Sequence, residues 1–373
     1  MSQSIKLADA IDEKISSFLD AREHEMNEIS PDMRHIMAYA KSLLANGKRF
    51  RARFCYWGWR AIDAIPDPLD PHSGIETLED LNSILNLSAA LEVFHAAALV
   101  HDDIMDNSDT RRGKPAAHRA FESFHRSEGF AGDGTHFGVS TALLAGDLLL
   151  AWSDDLVNAA LSADIPVTAA LATRAQFARM RQEVTLGQYL DIHEEAAWPH
   201  INDADRLERA IRVVTYKSAK YSMEAPLLIG ASLAGAHEEH LDALSAFGLP
   251  LGIAFQLRDD VLGVFGDSEV TGKPSGDDLR EGKRTVLIAL AEHAMHPSAR
   301  TVFTEMLGDR SLTGEQIGVM QSTLRDTGAL DKVEDMIEAY VSQALDALDR
   351  SSVAASAKSE LGRLAEAVTQ RLA

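Results

Sequence analysis

The chain has 373 residues, 46% hydrophobic and 25% charged, which is enough apolar mass for a large packed core. Its formal net charge of −21 argues against a nucleic-acid partner, although a local basic cluster can still hold a small anion. A single cysteine, Cys55, excludes an intrachain disulfide.

The N-terminal stretch "MSQSIKLADAIDEKISSFLD" lacks the continuous apolar core of a secretory signal. Residues 1–25 read as a peripheral amphipathic helix, as do 350–373. Cys55 sits among aromatics in "RARFCYWGW" and is expected to be a buried structural thiol. The most apolar long stretch, 84–100, is interrupted by Asn86, Glu92 and His95. No membrane-spanning segment is therefore expected, and the chain reads as a soluble cytoplasmic protein. Ile84, Leu87, Leu91, Phe94 and Ala98 recur at steps of three or four, which predicts a helix; 139–161 and 241–262 behave alike. Alternating strand patterns are scarce. The stretches "IPDPLDPHSG" (65–74), "FAGDGTHFG" (130–138), "AWPHINDAD" (197–205), "FGDSEVTGKPSGD" (265–277) and "MHPSAR" (295–300) read as interhelical loops. With no internal repeat and no linker, residues 1–373 read as a single large all-α domain of ten or more helices.

Acids and bases crowd the stretch "LVHDDIMDNSDTRRGKPAAH" (99–118). On a helix Asp102 and Asp106 share one face, with Asp103 about 100° round from Asp102. Like charges at that spacing destabilise a bare helix, and acids at its C-terminal end oppose its dipole. A hard divalent cation such as Mg²⁺, ligated by oxygen, would resolve both problems; a solvated acidic helix end is the plainer alternative. "FQLRDDVLGVFGD" repeats the theme, with Asp259 and Asp260 read as ending the apolar helix "LPLGIAFQL". The residue four beyond Asp259 is Gly263, so this second cluster is weaker. Two such acidic ends could face one another across a cleft. Loop bases accompany them: Lys48, Arg49 and Arg51 in "NGKRFRAR", then Arg111, Arg112, Lys217, Lys273, Lys283 and Arg284. Carboxylates, Mg²⁺ and Lys/Arg together are the chemistry for holding a diphosphate or letting it leave.

With these motifs the sequence resembles the trans-isoprenyl diphosphate synthases, and in its phrasing the actinobacterial geranylgeranyl and polyprenyl synthases. The resemblance covers nearly the whole chain and rests on seven motifs in the family's order. They are "GKRFR" (47–51), "HAAALVHDDIMD" (95–106), "RRG" (111–113), "GD" (146–147), "GQYLD" (187–191), "YKSAK" (216–220) and the 255–285 block. It implies an all-α isoprenoid synthase fold with a central active-site cavity, three Mg²⁺ ions with Mn²⁺ as an alternative, and a homodimer. It implies Asp102 and Asp106 as ligands of two ions, supported by Asp103, and Asp259 as ligand of the third. Arg111, Lys217 and Lys273 would hold the allylic diphosphate. Lys48, Arg51, His95 and Arg112 would hold isopentenyl diphosphate. Gln188, Ser218 and Gln256 would line the reacting centre, and Asp191 and Lys283 would support it or its closure. Two departures stand out: Gly263 where many relatives have Asp, and Ser218 where Thr is common, although a serine hydroxyl can still donate.

The implied reaction joins an allylic diphosphate (dimethylallyl, geranyl or farnesyl) head-to-tail to isopentenyl diphosphate. The allylic C1–O bond ionises, the isopentenyl double bond traps the cation, and released diphosphate takes the leaving proton. Water must be excluded, and 265–285 is the candidate lid. In the family, bulk at the positions of Ala97 and Ala98 stops growth at farnesyl. Here both are small, and Phe94 lies eight residues before Asp102, about 12 Å along a helix. The expected product is geranylgeranyl diphosphate, with Phe94 or a side chain from 148–152 as the floor. Farnesyl or longer products, a class I terpene cyclase and a non-catalytic partner subunit are the alternatives. The isopentenyl-site bases and the intact acids argue against the last two.

Overall fold

The computed structural model describes residues 2–45, 47–62, 81–161, 164–266 and 275–369. The chain divides into two compact units, Met1–Arg174 with Ile229–Ala236, and Ala175–Leu228 with His237–Ala373.

The first unit begins with α1 (Ser2–Ile29), α2 (Arg34–Leu44) and α3 (Phe50–Arg60). On α1 the buried residues Leu7, Ile11, Ile15, Leu19 and Met26 form one stripe, as an amphipathic helix requires. Then come α4 (Asn82–Met105), α5 (Ala117–Ser127) and α6 (Gly134–Ala160). A two-residue ribbon, β1 (Thr110–Arg111) with β2 (Lys114–Pro115), separates α4 from α5. The length and hydropathy of α4 would suit a membrane span, but most of it is buried inside the protein. It is a core helix that α3 and α6 pack against. The His101 ring rests in the space that Gly146 of α6 leaves, where a Cβ would lie 2.2 Å from its Nε2. Cys55 is fully buried, as expected.

Two helices run from one unit into the other, α7 (Val167–Ala197) and α9 (Ala225–Leu233). The second unit adds α8 (Asp203–Val213), a π-helical segment at Val214–Glu224, and α10 (Glu238–Phe265). It continues with α11 (Asp277–Glu281), α12 (Val286–Ala294), α13 (Pro297–Met306), α14 (Gly314–Asp326), α15 (Ala329–Arg350) and α16 (Ala355–Thr369). Its core joins Leu257, Val261, Leu279, Leu287, Phe303, Leu324 and Ile337. Trp198 is buried there; its Nε1 donates to Glu292 (2.7 Å), and Arg206 also donates to that carboxylate (2.8 Å).

The all-α reading holds. Several predicted loops are shorter than the sequence implied. In "FAGDGTHFG" the helix already starts at Gly134, because the Asp133 carboxylate accepts from the N–H groups of Thr135 (2.9 Å) and His136 (3.3 Å). In "MHPSAR" Pro297 opens α13, where a missing N–H costs nothing. Asp259 and Asp260 do not end their helix; α10 continues through Gly263 to Phe265, since charge alone does not break a helix and a single glycine inside one is tolerated. "IPDPLDPHSG" and residues 267–274 lie outside the described residues, so nothing tests those parts of the loop and lid readings.

Candidate active site

In the first unit, α4 carries Asp102 and Asp103 in its last turn, and Asp106 caps it with its N–H on the Asp102 carbonyl (2.8 Å). Asp103 is 1% exposed, and Asp102 and Asp106 are half-buried. Arg111, at the start of the ribbon, donates from Nε to both Asp103 oxygens (3.0 and 3.2 Å) and from Nη2 to one of them. The same Nη2 lies 3.7 Å from Asp102 Oδ2. One arginine therefore offsets the like-charge repulsion of the two adjacent acids. Tyr39 of α2 lies close enough for Asp103 to help burial push its hydroxyl pKa upward.

About two turns before these acids on α4 is a small recess lined by Leu43, Leu44, Arg49, Glu92, His95, Ala96, Leu99 and Arg112. Arg112 donates to the Leu43 carbonyl (3.0 Å). Arg49 is buried, donates to Asp12 (2.6 Å) and to the Leu44 carbonyl, and stands 3.6 Å from Glu92. Glu92 also accepts from the Ala52 N–H (3.1 Å). Burial, reinforced by Arg51, Arg112, Arg111 and Arg49, holds the His95 pKa well below its ordinary value, so the ring is neutral. Among the described residues, the only non-glycine residues with positive φ are Arg49 (53°), Asn107 (50°) and Arg112 (53°). All three flank this site. Left-handed backbone of this kind costs on the order of 1–3 kcal/mol, and such strain gathers at functional sites.

Sequence reading named Arg51, His95 and Arg112 for this place, and the structure brings them together through their shared influence on His95. Lys48 is exposed. Arg49 and Glu92 were not assigned a role, and both line the recess. The available signal was Glu92 itself, an acid inside an apolar run. On the same stretch of α4, Ala97 is fully buried, Ala98 half-buried and Phe94 4% exposed.

In the second unit, the "GQYLD" and "YKSAK" motifs meet. A Cβ on Gly187 of α7 would lie 2.4 Å from the Lys217 nitrogen, so only glycine admits the π-helical segment here. That approach lets Lys217 donate to the Asp191 carboxylate. Ser218 is buried beside it. Gln188 Nε2 is buried with no partner among the described residues, a donor left for a ligand. π-helical turns recur at functional sites because they re-aim side chains.

On α10 Asp259 is exposed and Asp260 buried. Gln256 donates to Asp260 (2.7 Å). Burial raises the Asp260 pKa well above the usual range, and the charges of Asp278 and Asp259 add to it. Lys283 pairs with Glu281 (3.0 Å). Lys273 lies outside the described residues.

Among the described residues, no three His, Cys, Asp or Glu converge closely enough to hold a metal ion alone. Mg²⁺ binds through one or two carboxylates plus water and substrate phosphate. The donor set is all oxygen, as a hard cation requires. A carboxylate also occupies the cradle that a Cβ on Gly263 would fill, because Asp278 reaches over it.

A solved geranylgeranyl pyrophosphate synthase from Corynebacterium glutamicum, complexed with isoprenyl diphosphate and magnesium, is 40% identical to this chain. It superposes with a TM-score of 0.88 over 98% of this chain and 99% of its own. A geranylfarnesyl diphosphate synthase from Aeropyrum pernix is 32% identical over 77% of this chain and 82% of its own. A geranylgeranyl diphosphate synthase from Sulfolobus acidocaldarius is 31% identical over 71% of this chain and 73% of its own. The family model described as polyprenyl synthetase matches residues 33–324. Apart from Asp12, the acids, bases and close glycine approaches described above lie within that span, and the chain belongs to the polyprenyl synthetase family.

Proposed function

We propose that the chain condenses isopentenyl diphosphate with an allylic diphosphate and releases all-trans geranylgeranyl diphosphate. The observation that carries this reading is the order of features along α4: acids at its end, the basic recess beside His95, and small side chains one turn back. Bound Mg²⁺ supplies positive charge to the departing diphosphate.

The protein's own groups do the rest. Asp102, Asp106 and Asp259 hold the ions, with three as the proposed number and Mn²⁺ as an alternative. Asp103 holds Arg111 in register, so its guanidinium meets the allylic diphosphate already oriented. Lys217 and Lys273 are assigned to the same diphosphate. Asp191 holds the Lys217 ammonium, and Lys283 is assigned to closure. Arg51, Arg112 and Lys48 take the isopentenyl diphosphate. The neutral His95 donates one hydrogen bond to it without adding charge. Arg49 joins this set through its place in the recess. Gln188, Ser218 and Gln256 present polar atoms to the reacting carbons and keep free water from them.

Product length follows from α4. Ala97 and Ala98 leave room one turn before Asp102, and Phe94 is the proposed floor. A homodimer belongs to the same reading, because Leu143 and Leu144 of α6 are large apolar side chains exposed to solvent. So does a cytoplasmic location, since both substrates are water-soluble anions.

The test is incubation of purified protein with isopentenyl diphosphate, Mg²⁺ and each allylic primer, with products sized after dephosphorylation. A single twenty-carbon product is expected. Ala98→Phe should shorten it to fifteen carbons. No condensation with any primer would overturn the function, and an unchanged product from Ala98→Phe would show that the tail runs elsewhere.

A further inference from the structure

Arg49 stands between two of the bases assigned to isopentenyl diphosphate, Lys48 and Arg51, but its own side chain turns inward. With φ of 53° at residue 49, the guanidinium folds back against Gly47, where a Cβ would lie 2.9 Å from Nη1 and 3.3 Å from Cζ. It donates to the Leu44 carbonyl, and Glu92 stands 3.6 Å away. Arg112 donates to the preceding carbonyl, Leu43 (3.0 Å). A helix leaves its last carbonyls without partners of its own, and at the end of α2 two arginines supply them. Leu44 and Gly47 thereby rest on one buried cation.

That cation depends on a residue from much earlier in the chain. Arg49 Nε donates to Asp12 Oδ1 of α1 (2.6 Å). The arginine side chain is 3% exposed and the aspartate 46%. Asp12 is thus the acid in hydrogen-bond contact, whereas Glu92 accepts from the Ala52 N–H (3.1 Å). Removing one partner of such a pair leaves a buried charge uncompensated, so the arginine must turn and the backbone resting on it must shift. Asp12 precedes the span that the family model matches.

Resting on the function proposed above, we infer that Asp12 is a positioning residue for the isopentenyl site. It acts through Arg49. By fixing the guanidinium on which Leu44 and Gly47 rest, it fixes where Lys48 and Arg51 meet the diphosphate. Arg49 serves the recess as this peg, and α1 is part of the binding machinery as well as a cover for the core. Charge alone makes the opposite prediction: an acid beside an anion site weakens it, so removing Asp12 would tighten binding.

The experiment titrates the full chain with isopentenyl diphosphate in EDTA, by calorimetry. Without an ion the carboxylate sets repel the diphosphate, so the basic recess is what is read. It compares wild type, Asp12→Asn, Arg49→Gln, their double variant and Asp20→Asn. Asp20→Asn breaks a different ion pair of α1, to Lys41 (2.7 Å), and should bind like wild type. Asp12→Asn should bind about 10-fold more weakly, the worth of one charged hydrogen bond. The double variant should match Arg49→Gln within about 2-fold, a non-additive result. In turnover with Mg²⁺, Asp12→Asn should raise the KM for isopentenyl diphosphate and leave the KM for the allylic primer unchanged. Equal or tighter binding by Asp12→Asn would overturn the inference and leave the function standing. So would a double variant clearly weaker than Arg49→Gln, or an equal loss in Asp20→Asn. A wild type that neither binds isopentenyl diphosphate nor turns it over would overturn the proposed function and this inference together.

Discussion

At the first carboxylate set the neutralising partner is close in sequence: Arg111 donates to Asp103 across a separation of eight residues. The acids stand in the last turn of their helix, and the chain then turns through Asn107 and Arg112 at positive φ to bring the arginines back. At the second set the acids sit within a continuing helix, and their neighbour Asp278 comes from beyond a loop. There the backbone approach depends on a missing side chain at Gly187, and the Asp278 carboxylate fills the space left at Gly263. The first site is strained backbone held by ion pairs. The second is relaxed helix with close approach through glycine. The two should fail in different ways.

Asp103→Ala strikes the first directly. It strands Arg111 beside Asp102 and should cost about 3–5 kcal/mol, as breaking a buried pair does. Denaturant unfolding measures it, and a loss under about 1 kcal/mol would mean that solvent already screens the pair. Gly187→Ala strikes the second. Its Cβ would meet backbone at 2.4 Å, so the π-helical segment must shift, at a cost of about 1–3 kcal/mol. Lys217 should move with it, so the KM for the allylic substrate should rise. Unchanged stability and KM would show that the approach has slack.

The smallest effect distinguishes the recess by pH. His95 stays neutral in the fold, while an unfolded histidine binds a proton near pH 6.5. The unfolded state therefore binds more protons below that pH, and stability rises with pH through this window. The contribution is intact above about 6.5 and weakens by about 1 kcal/mol one pH unit lower. His95→Gln should flatten the slope between pH 5 and 6.5 in denaturant titrations. An equal slope would place the acid sensitivity elsewhere.

These differences mark what the sequence could reveal. Asp102, Asp103 and Asp106 were legible because helical period alone puts them together. The pairing of Lys217 with Asp191 was reachable only through motif order, because no period connects α7 to the π-helical segment. Arg49 with Glu92 was not legible. An arginine among several in "GKRFR" does not announce which one turns inward, and a left-handed backbone at a non-glycine leaves no sequence mark. Asp278 was hidden for a similar reason. Gly263 read as a loss, and only coordinates show that its missing side chain makes room. The end of α10 was misjudged because two charges after an apolar run resemble a boundary, while the actual stop is Gly266.

The proposed function requires both of these differently built carboxylate sets for Mg²⁺-dependent ionisation. The most direct test measures diphosphate release from Asp102→Asn and Asp259→Asn at saturating substrates and Mg²⁺. Both variants should be slower than wild type by at least about 100-fold while keeping its unfolding midpoint. A wild-type rate from either one would contradict the account, because one of the two sets would then stand outside the reaction.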